Sequence, residues 1–231
     1  MADMKPILFS TERVKALLEG RKTMTRRLIK PQPGADADLW YAYAGGRKQD
    51  IGKWHDRKTG QAWNPPYHAD DILYVRETFT KDGGRYYYRA DFESDWLDPC
   101  ETLSGGYPAA CRYRNCDTCC AESERIRWRP SIHMPKEAAR IFLRVKRVSV
   151  ERLQKCGEGW CVDIEREGVK TPQDPILYVN DDKFHAALRA EMKKLWDSTI
   201  KPSELDTYGW EANPWVWVIE FERISKEEAL K

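Results

Sequence analysis

The chain has 231 residues, 41% hydrophobic and 33% charged, a balance that fits a soluble globular protein and excludes a disordered one. With 39 Lys and Arg against 37 Asp and Glu, its net charge of +2 excludes a polycation that coats nucleic acid through overall charge. A local basic face that steers an anionic ligand stays open. No apolar run approaches the ~20 residues of a membrane span. Met1-Ala2-Asp3-Met4-Lys5 lacks the apolar core of a signal peptide, so the chain reads as cytosolic with no membrane partner. In that compartment seven cysteines favour free thiols or a metal over disulfides.

In chain order, Lys5-Pro6-Ile7-Leu8-Phe9 reads as a short strand, with Ser10 placed to cap the helix that follows. Val14, Leu17 and Leu18 give that helix its apolar stripe, and Gly20 is a natural left-handed residue to end it. Residues 22–29 return as a strand, closed by Pro31 and Pro33. Residues 34–69 show no clean periodicity and read as an irregular insertion, with Trp40, Tyr41, Tyr43, Trp54 and Trp63 scattered through it. Residues 72–79 form a strand that pairs with 85–90 as a hairpin across Asp82-Gly83-Gly84.

A second irregular insertion spans about 91–129 and carries five of the seven cysteines. His133, between Ile132 and Met134-Pro135, reads as a core or backbone-bonded histidine. Residues 139–150 alternate as a long half-buried strand, and the stretch from Glu151 to about Glu167 has helical character interrupted by Gly157 and Gly159. A second helix over 181–198 carries Phe184, Leu188, Met192 and Leu195 on one face, and the chain closes on a strand over 215–224. Five or six strands with few helices argue one domain over 1–231, a small mixed barrel decorated by insertions.

The segment Glu19-Gly20-Arg21-Lys22-Thr23-Met24-Thr25-Arg26-Arg27 sets four cations and two threonine hydroxyls beside a glycine. Its Gly20-x-Lys22-Thr23-x-Thr25-x-Arg27 pattern, following a short amphipathic helix, resembles the signature of the ASCH domain in the PUA-like superfamily. Residues 71–77, the strand leading to Glu167-Gly168 and the closing strand are similar as well. The overall layout resembles the longer ASCH-like proteins of phages and prophages, which would place the chain in a host cytoplasm. The resemblance covers about half of the chain; the insertions at 34–69 and 91–129 have no counterpart in the minimal domain.

This resemblance implies an α+β fold, a small PUA-like mixed β-barrel with flanking helices, and a basic pocket for RNA or a modified nucleoside. Small bacterial members hydrolyse N4-acetylcytidine with a Lys base, a Thr nucleophile and a Glu proton donor. By motif those roles fall on Lys22, Thr25 and Glu167, with Glu165 as a competitor for the last. Arg21, Arg26, Arg27, Arg76 and Glu77 are the expected substrate-binding residues. No cofactor is implied for catalysis.

The chemistry is reasonable in outline: a Thr hydroxyl needs a base, a Lys can serve when its cation is disfavoured, and an acid assists the departing amine. One geometric condition applies. In a regular strand, residues three apart point to opposite faces, so Lys22 must lie in the turn after Gly20. Beside this enzyme reading stand a non-catalytic reader of RNA or modified DNA, a ribonuclease acting on single strands, and a structural phage component. Trp210, Trp215 and Trp217 read as core residues before base platforms, although Trp215 and Trp217 share one strand face, one rim of which offers a surface on which a base can stack. Cys100, Cys111, Cys116 and Cys119 contain a Cys-x2-Cys pair; they suit either a tetrahedral structural zinc site or reduced free thiols.

Overall fold

In a computed structural model of the protein, the described residues are 4–42, 51–91, 128–157, 162–170 and 181–231. Cys100, Cys111, Cys116 and Cys119, and with them the expected zinc site, lie outside these residues, as does most of the second insertion. The fold is mixed α+β, with several sheets and few helices. No described sheet closes into a barrel. No helix among the described residues is long and apolar enough to cross a membrane. The chain groups into two compact units: Met1–Leu18, Leu73–Phe142 and Ile224–Lys231 form the first, and Glu19–Ile72 with Leu143–Arg223 the second.

In the first unit, β1 (Lys5–Leu8) runs parallel to β6 (Ile72–Arg76), with Ile7 opposite Val75. The Ser10 carbonyl accepts from the Val14 amide and opens α1 (Thr11–Leu18), which buries Val14, Ala16 and Leu17. The expected hairpin starts later than its sequence suggests. Its strands are β7 (Phe79–Asp82) and β8 (Arg85–Tyr88), with β6 separate, because Gly83 and Gly84 both take positive φ and close a two-residue turn between Asp82 and Arg85. Ser131–His133 is a single 3-10 turn with its histidine exposed, which corrects the expectation of a core residue.

The second unit holds the strands in the order β9 (Phe142–Arg152), β10 (Trp215–Ile224) and β2 (Met24–Leu28), β10 and β2 being antiparallel. Two helices, α2 (Val162–Arg166) and α3 (Asp181–Asp197), cover one side of it. Met24 and Val218 from the strands bury themselves there with Leu153, Ile164, Leu188 and Met192. The α3 stripe is the one its sequence spacing predicts, with Leu188 and Met192 buried and Phe184 and Leu195 packed against the same core.

The first insertion is not irregular. It folds as a three-stranded antiparallel sheet of β3 (Leu39–Tyr41), β4 (Trp54–Asp56) and β5 (Ala62–Trp63). The β4–β5 turn is shaped by the buried Asp56 carboxylate, which accepts from the Thr59 hydroxyl at 2.8 Å and from the Lys58 and Asp38 amides at 3.1 Å. Strands of two or three residues are too short to show a period in sequence, which is why this sheet is hidden there.

Candidate functional site

The Gly20 motif is built around the end of a helix. Gly20 takes φ +76° and turns the chain out of α1, as its sequence position predicts. The next three residues then supply donors to the exposed carbonyl end of α2. Arg21 donates to the Gly168 carbonyl at 2.9 Å, the Lys22 Nζ to the Glu167 carbonyl at 2.7 Å, and the Thr23 amide to the Arg166 carbonyl at 2.9 Å. A helix terminus leaves such carbonyls without partners, and its negative pole favours cations. Three successive motif residues therefore cap one short helix and hold it against β2.

Lys22 does more than cap. Its ammonium also donates to the Met24 carbonyl at 2.7 Å and to Glu167 Oε2 at 2.8 Å, with both side chains almost fully buried. The three acceptors match the three donors of an ammonium ion. The other oxygen of Glu167 accepts from Arg26 at 3.2 Å, and Arg26 also grips Glu151 Oε1 through Nε at 3.0 Å and Nη2 at 2.7 Å. Two buried cations are thus balanced by two carboxylates, with Asp163 a further 3.6 Å contact at the edge.

The surroundings respond as this charge pattern requires. Burial alone would lower the Arg26 pKa, but the charges of Glu167 and Glu151 outweigh it and hold the guanidinium more firmly protonated than usual. The neighbouring Cys156 thiol is pushed up to about 12 by burial, so it sits in the core as a neutral packing group.

The structure therefore brings Lys22 and Glu167 together, and of the two competing carboxylates it is Glu167, not Glu165, that meets the lysine. It does not bring Thr25 to them. Lys22 lies in the turn before β2, as the geometry requires, but Met24 and Arg26 share one face of that strand while Thr25 and Arg27 share the other. Thr25 lies opposite Ile219, is 1% exposed, and its hydroxyl has no hydrogen-bond partner. Arg76 and Glu77 belong to the first unit. There Arg140 forms a two-pronged pair with Glu77 at 2.8 and 3.0 Å, and Arg76 donates to the Ile132 carbonyl. Glu77 is buried, and that burial raises its pKa against the opposing pull of Arg140. Sequence reading missed Glu151, because nothing in a single chain announces a carboxylate 125 residues away from its arginine.

The Thr25 face of β2 leads to a different feature. An open cleft of about 440 Å³ is lined by Arg27 and Lys30 from the end of β2, by Asn64, Pro66 and Tyr67 following β5, and by Trp217 of β10. Trp217 is directly opposite Arg27 in the β10–β2 register. Burial raises the Tyr67 pKa, and the charge of Arg27, which lines the same cleft, opposes the shift. Lys30 sits 4.5 Å over the Tyr208 ring and 3.7 Å from Glu204. Two cations, two aromatic rings and an amide in a volume within the ~300–1,000 Å³ of small-ligand sites suit a ligand with an anionic and a flat part. Arg27 was expected as a binding cation and lines this cleft; Trp217 was expected as a core residue before a base platform and is 5% exposed, and Asn64 and Tyr67 were not singled out, since they sit in the insertion. Comparisons with protein-family models, with curated proteins and with solved structures give no match.

Proposed function

We propose that the protein is an ASCH/PUA-like binder of single-stranded RNA or a modified nucleotide, and that the ligand occupies the cleft of Arg27, Lys30, Tyr67 and Trp217. The observation that carries this reading is the pairing of Arg27 and Lys30 with the half-buried Tyr67 ring along one open cleft, to whose wall Trp217, 5% exposed, also contributes. Phosphate is attracted by the cations, and a base stacks on an aromatic ring without regard to its identity. The resemblance at Gly20–Arg27 supports the same reading from the sequence side. Lys22 and Arg26 enter it as the scaffold that orients β2, since both are buried and engaged by carboxylates.

Deacylation of an N4-acylated cytidine is the second reading, favoured by the 2.8 Å contact of Lys22 with Glu167. Against it stand the ammonium donors already committed to three acceptors and a Thr25 hydroxyl buried on the other face of the strand. Titration of labelled single-stranded RNA by fluorescence anisotropy at rising salt tests the binding reading. With two phosphates neutralised, log K is expected to fall with log salt at a slope of roughly −1.4. Absence of binding, or binding indifferent to salt, contradicts it. Turnover of N4-acetylcytidine that disappears in both Lys22→Ala and Thr25→Ala would instead establish the second reading.

A further inference from the structure

The cleft has two walls of different origin. One is the β2–β10 pair that follows the Gly20 motif; the other, Asn64 to Tyr67, comes from the segment that follows β5. We infer that this second wall makes the cleft selective, with Asn64 as the residue that reads the edge of the bound base. This inference rests on the binding reading above and goes beyond it by assigning base discrimination to one side chain.

The insertion wall is held stiffly enough for that task. Trp63, the last residue of β5, is 5% exposed, and its indole N–H donates to the Pro31 carbonyl at 2.8 Å, which ties the insertion to the end of β2. Pro65 is buried and Pro66 follows it. A proline fixes its own φ and restricts the residue before it, so two in succession fix the backbone from Asn64 onward. Tyr67 then joins Arg27 in the cleft lining. The backbone that carries the Asn64 side chain is therefore fixed at the cleft wall, and only the side chain's own torsions remain to be ordered by a ligand.

Asn64 also brings a chemistry that the rest of the lining lacks. Arg27 and Lys30 only donate, Trp217 has a single indole donor, and the Tyr67 hydroxyl donates and accepts through one atom. A carboxamide presents a donor and an acceptor on two adjacent atoms, the pattern that matches neighbouring polar atoms on a base edge. Asn64 is exposed, and among the described residues its amide makes no hydrogen bond that a ligand would have to displace. In the resulting arrangement Arg27 and Lys30 each meet a phosphate of the strand, the base lies against Tyr67, and Asn64 distinguishes one base from another.

The test is equilibrium binding of short labelled oligo(A), oligo(C) and oligo(U) to the full chain, to Asn64→Ala and to Arg27→Ala. Asn64 is exposed and unbonded, so its variant is expected to fold normally, with a thermal melt as the check. The wild-type protein should prefer one base over the poorest by about tenfold, the scale of a single paired contact. Asn64→Ala should bring the three oligonucleotides within about twofold of one another, whereas Arg27→Ala should weaken all three alike. A base preference that survives in Asn64→Ala, or a wild-type protein with no preference, overturns the role of Asn64 while the cleft remains a binding site. Failure of the wild-type protein to bind any of the three overturns both.

Discussion

The two faces of β2 carry the same kinds of residue and put them to opposite uses. On one face Lys22 and Arg26 are sealed against Glu167 and Glu151, every charge opposed by another within hydrogen-bond distance. On the other, Arg27 sits with Trp217 and Tyr67 at the wall of an open cleft. Arg26 and Arg27 are adjacent in sequence, yet a strand sends them to environments that differ in almost every physical respect. A buried cation satisfied on all sides is a structural element, costly to disturb and unable to reach a ligand. A cation at the wall of an open cleft lies within reach of an anion. Density of positive charge in a motif therefore says little about function until the face of each residue is known.

The largest way to break this contrast is at Glu167. Glu167→Ala leaves two buried cations without their shared carboxylate, and the expected loss of stability is about 3–5 kcal/mol, read by urea or thermal denaturation. A loss below about 1 kcal/mol would mean that the cluster does not hold the unit together. Arg27→Ala, on the opposite face, should instead leave the melting temperature nearly unchanged and weaken RNA binding about tenfold, with the salt slope reduced by roughly 0.7. Equal damage to stability from both variants would erase the distinction between the faces.

Thr25 sharpens the comparison by a smaller amount. Its hydroxyl is buried without a partner, so Thr25→Val should be neutral or stabilising by about 1 kcal/mol. Marked destabilisation would reveal an interaction of that hydroxyl that the strand geometry does not provide.

The smallest effect is one of pH, and its sign separates the two units. Glu220 lies between Arg166 at 2.6 Å and Arg147 at 2.8 Å; burial would raise its pKa, but the two guanidiniums prevail and lower it. A lowered carboxylate stabilises the fold above its unfolded value of about 4.5 and loses that contribution as pH falls through the folded value. Glu77, raised by burial, has the opposite sign: its contribution is present below about 4.5 and is lost as pH rises through the folded value. Amide exchange followed from pH 6 downwards (roughly to pH 3) should show protection in β10 declining while that around Glu77 is maintained or improved. Parallel decline in both places would contradict this assignment.

Much of the framework was legible from the chain itself. The strand over 215–224 and the helix over 181–197 appear at almost the predicted residues, because ten- and seventeen-residue elements display their period in full. The short sheet of the first insertion was not legible. Its strands are held by Asp56, Trp63 and neighbouring loops, and no local pattern reveals that support. The site shows the same division. Gly20 and Lys22 were placed correctly relative to one another because turn chemistry is local. The partner of Lys22 lies 145 residues away, and the family resemblance, not any periodicity, pointed to Glu167. Asn64 and Tyr67 join the cleft only through the fold of an insertion, so no reading of the motif alone would have reached them.

The measurement that bears most directly on the two-faced account of β2 is ultraviolet cross-linking of bound single-stranded RNA, with the attached peptides identified by mass spectrometry. The cleft reading predicts adducts at Tyr67 or Trp217, which line the cleft with Arg27, and none on the segment from Val162 to Gly168, whose carbonyl end packs against Arg21, Lys22 and Thr23. Adducts concentrated on that segment, with Tyr67 and Trp217 unmodified, would place the ligand on the other side of the strand and contradict the account.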